Sequence, residues 1–452
     1  MKKLMLSAAA LMCGTLMFAQ FNTSTVDQIG TGNTSSVTQT GFMNDSDVDQ
    51  TGDNNNSTVY QVESAGNGSA DNNTSDVDQT GNDNNSLVWN DGDGNTSDVD
   101  QDGNNNSSYV DQWGDANTSQ VDQDGNGNSA SVYQGYDSVA GFGNDHYSYV
   151  QQTGDDNIAT VNQNGGDDND SYVWQWGNNN DADIDQTGND NLSEVQQQGD
   201  DNESDVTQIG DFNWAQNVQI GNDNTSDIDQ DGNDNYAGAG QYGDNNNSII
   251  DQDGNNNYAL TFQTGNYNGS MVTQVGNDND SYVDQFGNGN GSTVAQAGNN
   301  NDSDVLQTGD NNTSGVAQVG DDNISLVQQI GMLNNSSVLQ VGNNNDSDVN
   351  QNGNGNFSDV KQFGNFNESD VDQDGTSNIS GVVQTGDDNY SSVIQNGFLN
   401  VSTVNQTGFL HESYVNQQGD LNMSDVTQTG NNHWSNVNQI GNGNNSSVTQ
   451  SN

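Results

Sequence analysis

The side chains in this chain that could do chemistry are histidines, grouped carboxylates and aromatics. His146, His411 and His433 could hold a metal or move a proton. Each stands six residues before a glutamine, in a slot that 35 other copies of the same pattern fill with asparagine. That placement reads as one hydrogen-bonding side chain replacing another at a strand start. No nucleophile–base pair or phosphate loop accompanies the histidines. The carboxylates come closer to a motif. Asp98-x-Asp100-x-Asp102-Gly103, Asp227-x-Asp229-x-Asp231-Gly232 and Asp370-x-Asp372-x-Asp374-Gly375 match the opening of a calcium loop. The bidentate glutamate required at its twelfth position is replaced by Tyr109, Gly238 and Gly381. The reading is therefore a solvated face of parallel Asp side chains that binds cations only loosely. Trp113, Trp174, Trp176, Trp214, Tyr242 and Phe363 could stack on carbohydrate or planar ligands, but their spacing is irregular. No catalytic, cofactor-binding or metal-ligating set emerges, and the chain does not read as an enzyme.

All these residues hang on one repeated frame. Asn301-Asp302-Ser303-Asp304-Val305-Leu306-Gln307-Thr308-Gly309 is one copy, and Asn312, Ser314, Val316, Gln318 and Gly320 are the same slots of the next. The frame recurs 38 times, from Gln28 to Gln450, and only Asn90 replaces the glutamine. The residue four before the glutamine is always Ser or Ala, and the residue two before it is Val or Ile in 35 copies. Asn, Ser, Val and Gln are two residues apart, so in an extended chain they share a face. Apolar residues at period two argue strand. The glycine two after the glutamine opens a short Gly/Asn/Asp segment that favours a tight turn. Each copy is one strand and one turn.

Composition points the other way. Hydrophobic residues make up 28%, the formal net charge is −61 and mean hydropathy is −0.94. Such values usually mean disorder, but a coil has no reason to keep Val and Gln in register over 400 residues. Proline is absent, which suits uninterrupted strand pairing. Residues 1–19 are different: Lys2 and Lys3 precede an apolar run from Leu4 to Phe18, the form of a secretory signal peptide cleaved after Ala19. Cys13 falls inside it, so residues 20–452 contain no cysteine and no disulfide. Lys361 is then the single Lys or Arg against 64 acids, a surface that repels nucleic acid and anionic lipid.

The repeats fall in blocks of four, six, two and 26, separated by insertions near 62–68, 135–141 and 165–166. All the blocks are even. The unit is therefore two copies, strand-turn-strand-turn, 22 residues per rung, with insertions on one edge. The expected fold is all-β: a solenoid of about 19 two-strand rungs in an amyloid-like cross-β stack, roughly 90 Å long at about 4.8 Å per rung. The interior is a thin column filled by the Asn, Ser or Ala, Val and Gln rows, with amides stacked as ladders. Only Ser451 and Asn452 follow Gln450, so an open strand edge and end-to-end growth are expected.

The spacing Gln-x-Gly-x-x-Asn-x-(Ser/Ala)-x-x-x-Gln, from residue 22 to 450, resembles the curlin repeat of curli fibre subunits. The resemblance implies strand-loop-strand rungs that polymerise into extracellular functional amyloid serving cell adhesion, aggregation and biofilm matrix. It also implies a nucleator subunit and an outer-membrane secretion pore as partners. The alternative from the residues is a monomeric acidic β-solenoid that binds cations, ice or glycans on a strand face.

Overall fold

The computed structural model describes residues 21–63, 70–137 and 141–452. The leader expected over residues 1–19 lies outside the described residues. Two parallel sheets of 19 strands each are stacked face to face, with one strand of every 22-residue rung in each. We call the sheet that begins with Thr23–Ile29 the front sheet and the one that begins with Thr34–Gln39 the back sheet. Rungs are numbered 1 to 19 in chain order, and rung 19 holds Trp434–Ile440 and Asn445–Ser451. Among the described residues no helix is long and apolar enough to cross a membrane.

Pairing is in register throughout. Val305 lies beside Val283 and Val327 in the front sheet, and Val316 lies beside Val294 and Val338 in the back sheet. The 22-residue offset becomes 29 where Asp45 pairs with Thr74 and where Thr118 pairs with Tyr147, and 23 where Tyr147 pairs with Asp170. Each longer offset follows a back-sheet strand, so the extra residues leave the column at one edge. Beside one of them, Tyr136–Asp137 and Gly141–Phe142 form a two-residue antiparallel pair.

The turns stack as tightly as the strands. Gly309 N–H donates to the Phe286 carbonyl one rung away at 2.7 Å, and Asn311 N–H to the Asn288 carbonyl at 2.8 Å. Gly309 has φ +116°, and a Cβ there would lie 1.9 Å from the Gly331 carbonyl oxygen; Gly320, at φ +121°, has the Gly342 oxygen 2.1 Å away. Only glycine permits this approach. Two residues later the chain is left-handed, at Asn311 (φ 56°) and Asp322 (φ 58°), where Asn and Asp are the least penalised residues with a Cβ. The core is a two-wide column of Val, Ile and Ala, with Val48, Val305 and Val404 all at 0% exposure.

Candidate functional site

The working parts of a column such as this are its inner rows, its two ends and its two outer faces. In the inner rows Asn301, Ser303, Val305, Gln307, Asn312, Ser314, Val316 and Gln318 are all buried. Gln307 Nε2 donates to Gln329 Oε1 at 2.8 Å and, with its other hydrogen, to the Gly291 carbonyl of the back sheet at 3.0 Å. Gln318 does the same toward Gln340 at 2.9 Å and the front-sheet Asp302 carbonyl at 2.9 Å. The glutamines thus tie rung to rung and sheet to sheet, and both amide hydrogens are satisfied, as burial demands. Asn301 runs in the opposite sense: its Oδ1 accepts from Asn323 N–H at 3.1 Å and Asn323 Nδ2 at 3.0 Å, while its own Nδ2 reaches the Gly320 carbonyl at 2.8 Å. Asn312 Nδ2 likewise reaches the Gly331 carbonyl at 2.9 Å. The Ser303 and Ser314 hydroxyls are buried with no partner among the described residues.

The front glutamine ladder is unbroken from Gln28 to Gln439. The back ladder has one gap. Gln61 turns both hydrogens to backbone carbonyls, Asn90 is one methylene too short, and the ladder resumes with Gln112 donating to Gln134. Ser97 of the front sheet fills the space, its hydroxyl 2.9 Å from Asn90 Oδ1 and 2.8 Å from Gln112 Oε1.

The histidines occupy asparagine positions in the ladder. His146 Nδ1 accepts from Asn169 N–H at 3.2 Å, and His411 Nδ1 from His433 N–H at 3.2 Å. His411 and His433 stack with centroids 5.2 Å apart. Burial holds His146 down at about 4 against the opposing pull of Asp167, and burial also lowers His411. Both are neutral acceptors. Among the described residues no group of three or more His, Cys, Asp or Glu side chains converges as a metal site would.

The ends are complementary. Among the described residues the strands of rungs 1 and 19 pair on one side only. At rung 19, Gln439 and Gln450 each bond one facing carbonyl and leave the axial hydrogen unused. At rung 1, Gln28 and Gln39 donate inward to rung 2, and their own Oε1 atoms have no donor among the described residues. Among the described residues, one end has no acceptors for its axial glutamine hydrogens, and the other has no donors for its glutamine oxygens.

The outer faces are sorted into blocks. In the front sheet, Asp47 lies beside Asp76 and Asp76 beside Asp98, with a second column through Asp49, Asp78 and Asp100. Burial, then the charges of Asp78 and Asp98, push Asp76 up to about 6. Over rungs 2–5 the back sheet instead shows Tyr60, Trp89, Tyr109 and Tyr133. The assignment then reverses. Over rungs 7–10 the back sheet is acidic, with burial and then Asp185 pushing Asp183 up to about 6. The front sheet is aromatic in rung 7 and again in rungs 9–11, with Tyr172 stacked on Trp174 at 5.6 Å and Tyr236 on Tyr258 at 4.9 Å. Over rungs 12–16 acid returns to the front sheet with Asp280, Asp302, Asp304, Asp346 and Asp348. The back sheet beyond rung 10 is nearly uncharged, and its Lys361 is paired with Asp359. Of the six aromatics singled out from sequence, Trp174, Trp176, Trp214 and Tyr242 fall on the front sheet, while Trp113 and Phe363 lie on the back sheet. Rung 8, with Leu192, Glu194, Gln196 and Gln198 outside, separates Trp174 and Trp176 from Trp214, which adjoins Tyr236 one rung on.

Sequence reasoning missed one further feature. The three copies without Val or Ile in the core slot are Asn217, Ala239 and Thr261, which are consecutive neighbours in front rungs 9–11. All three are buried. Asn217 Nδ2 donates to Ser204 Oγ of the facing sheet at 2.6 Å, leaving its Oδ1 without a partner among the described residues. Apolar bulk has moved to the outside at Val218, Leu260 and Phe262.

No curated protein matches the chain significantly. The family described as Curlin associated repeat matches ten segments: 70–103, 92–125, 166–188, 177–210, 221–254, 254–287, 298–331, 342–375, 386–419 and 400–430. Together these span more than half of the chain. That family is structural rather than enzymatic, self-assembling, and associated with extracellular curli fibres. With its 22-residue rungs, in-register parallel sheets and glutamine ladders, the chain belongs to the curlin-repeat family.

Proposed function

We propose that the chain is a structural subunit of secreted, curli-type amyloid fibres that serve cell adhesion, aggregation and biofilm matrix. Its mechanism is templated strand addition. An incoming rung 1 docks on an exposed rung 19, extends both sheets by backbone pairing, and supplies Gln28 and Gln39 oxygens to the waiting Gln439 and Gln450 hydrogens. The observation that carries this reading is the complementarity of the two ends. Apolar exposure supports it: Val26 in rung 1 is 46% exposed, whereas Val48 one rung inward is at 0%. The amides of Asn301, Gln307, Asn312 and Gln318 would set register, Ser303, Val305, Ser314 and Val316 would fill the docked interior, and Gly309 and Gly320 would let the turns stack. The outer Asp columns would hold subunits apart until salt screens them. A nucleator subunit and an outer-membrane pore complete the system that the family suggests.

The test is thioflavin-T fluorescence and fibre diffraction on residues 20–452, with and without added salt. A lag shortened by sonicated seeds and by salt, with reflections near about 4.7 and 10 Å, is the expected result. A β-rich monomer that stays soluble at high ionic strength and ignores seeds overturns the proposal.

A further inference from the structure

We infer that the front face of rungs 9–11 is a binding site for an uncharged, hydroxyl-rich polymer, a neutral polysaccharide chain laid along the strand direction over Gly238 and Gly240. The inference is separate from fibre formation and stands whether or not the column polymerises.

Three observations converge on the same three strands. The first is a local inversion of the repeat. Asn217, Ala239 and Thr261 replace the core valine in successive rungs, although valine is favoured inside over outside. Apolar side chains stand outside in the same rungs. Core packing gives no reason for that exchange; a ligand on the outer face does. The second is shape. A shallow trough of about 130 Å³ is lined by Gln216, Val218, Tyr236, Tyr242, Leu260 and Phe262 over Gly238, Ala239 and Gly240. A Cβ on Gly238 would lie 2.5 Å from Leu260 Cδ2, and one on Gly240 would lie 2.8 Å from Phe262 Cδ1. Both glycines lie in a strand without positive φ, so what they provide is room. Leu260 and Phe262 can lean over the backbone and form a floor. Tyr236 and Tyr242 stand six residues apart, roughly 20 Å at strand rise, and end the trough. The third is charge. Acid is cleared from this face over rungs 9–11 and is concentrated on the opposite face of rungs 7–10.

The chemistry of the lining selects the occupant. Rings form a ribbon from Trp214, edge-on to Tyr236, to Tyr258, stacked on Tyr236, with centroids 4.9 Å apart at each step. Trp214, Tyr242 and Tyr258 are 41%, 41% and 39% exposed. Amide and carboxylate groups adjoin the ribbon, where Gln216 Nε2 donates to Glu194 Oε2 at 2.8 Å. A pyranose offers apolar C–H faces to stack on rings and hydroxyl edges to bond amides, carboxylates and tyrosine hydroxyls, which is the mixture present here. A cationic partner would be drawn to the Asp blocks elsewhere, and an anionic one is repelled by a chain of net charge −61. A second copy of this chain could dock only with an uncharged window of its own.

The test uses freshly desalted residues 20–452 at low ionic strength. Cellohexaose and N-acetylchitohexaose are titrated by calorimetry, and affinity electrophoresis is run in gels containing hydroxyethylcellulose. Binding of at least one hexasaccharide and retardation in the gel are expected. The double variant Tyr236→Ala/Tyr242→Ala should weaken binding at least tenfold, and Trp89→Ala on the back sheet should leave it unchanged. Circular dichroism checks that each variant folds. If the double variant does not fold, Gly240→Thr, which fills the trough floor from an outward position, should give the same loss. No binding by either probe, or equal binding by wild type and trough variants, overturns the inference. Sedimentation that shows self-association lost in the trough variants, with no sugar bound, also overturns it and assigns the face to a second copy.

Discussion

Front rungs 3–4 and front rungs 9–11 share one backbone and differ in everything the backbone carries. In rungs 3–4, Val77 and Val99 fill the core while Asp76, Asp78, Asp98 and Asp100 face water. In rungs 9–11, Asn217, Ala239 and Thr261 fill the core while Val218, Tyr236, Leu260 and Phe262 lie outside. The strands still pair in register, and the ladder still runs Gln219–Gln241–Gln263 at 3.0 Å per step. The valine column is therefore not what sets the register. Backbone pairing, the turn glycines and the amide ladders set it, and the valines add burial. Because each rung touches chiefly its neighbours, a defect or an outer-face change stays local.

Several changes would break or sharpen this comparison, most severely at the turns. Gly81 and Gly243 both hold positive φ with the next glycine's carbonyl oxygen within 2.1 Å of a Cβ position. Gly81→Ala and Gly243→Ala should each cost about 3 kcal/mol locally, equally in the two regions. Hydrogen exchange of the flanking rungs reads this, and an unequal loss would show that the valine column shares in setting the turns. Next come the ladders. Gln79→Leu or Gln241→Leu strands a buried amide hydrogen and a buried oxygen on the neighbouring rungs, at about 2–3 kcal/mol. Without a valine beside it, the Gln241 site should open further, visible as a larger drop in exchange protection.

A core swap tests the inversion itself. Val99→Asn should destabilise its rung by about 2 kcal/mol, and Asn217→Val, which removes an unpaired buried oxygen, should stabilise its rung by about 1 kcal/mol. If Asn217→Val destabilises the rung, the asparagine is an optimised core residue and the argument for an outward-directed exchange fails. The smallest effect is on pH. Burial and the neighbouring charges hold the Asp76 carboxyl at about 6, above its usual 3.8. A raised carboxyl weakens the fold when ionised, so the penalty is full above about pH 6 and fades as pH falls toward 3.8. After correction for intrinsic exchange rates, rungs 3–4 should gain protection between pH 7 and 5, as should the back strands of rungs 9–10, where burial raises Asp227, Asp229 and Asp251, while the front strands of rungs 9–11 stay level. His146, depressed to about 4, works in reverse. Its contribution is complete above its ordinary value of 6.5 and is lost as pH falls toward 4, so rung 6 should loosen under the same acidification.

The two-strand rung was legible in the sequence because strand alternation and an even repeat count need no tertiary information. Gln307 and Gly309 announce themselves by recurrence. Less visible was the second hydrogen bond of each glutamine, since the carbonyl that Gln307 meets across the column, that of Gly291, lies 16 residues earlier in a different strand. The sorting of the faces was also hidden. Read along the chain, Trp214, Tyr236 and Tyr258 are scattered among aspartates, because successive repeats alternate between opposite faces. Only the pairing of every second repeat brings them together. At rung 9 the valine sits at 218 where the pattern wants 217, a one-residue slip that moves a side chain from core to surface and passes unnoticed by eye.

The constant 22-residue offset also bears on heredity. Each of the last 13 rungs presents the same pairing register to the next. Removing or duplicating 22 residues among them therefore leaves both ends, every ladder and every turn as they were. Unequal recombination between coding repeats would alter chain length in whole rungs without a folding penalty at the junction. A globular domain, whose core closes on itself, has no such neutral step.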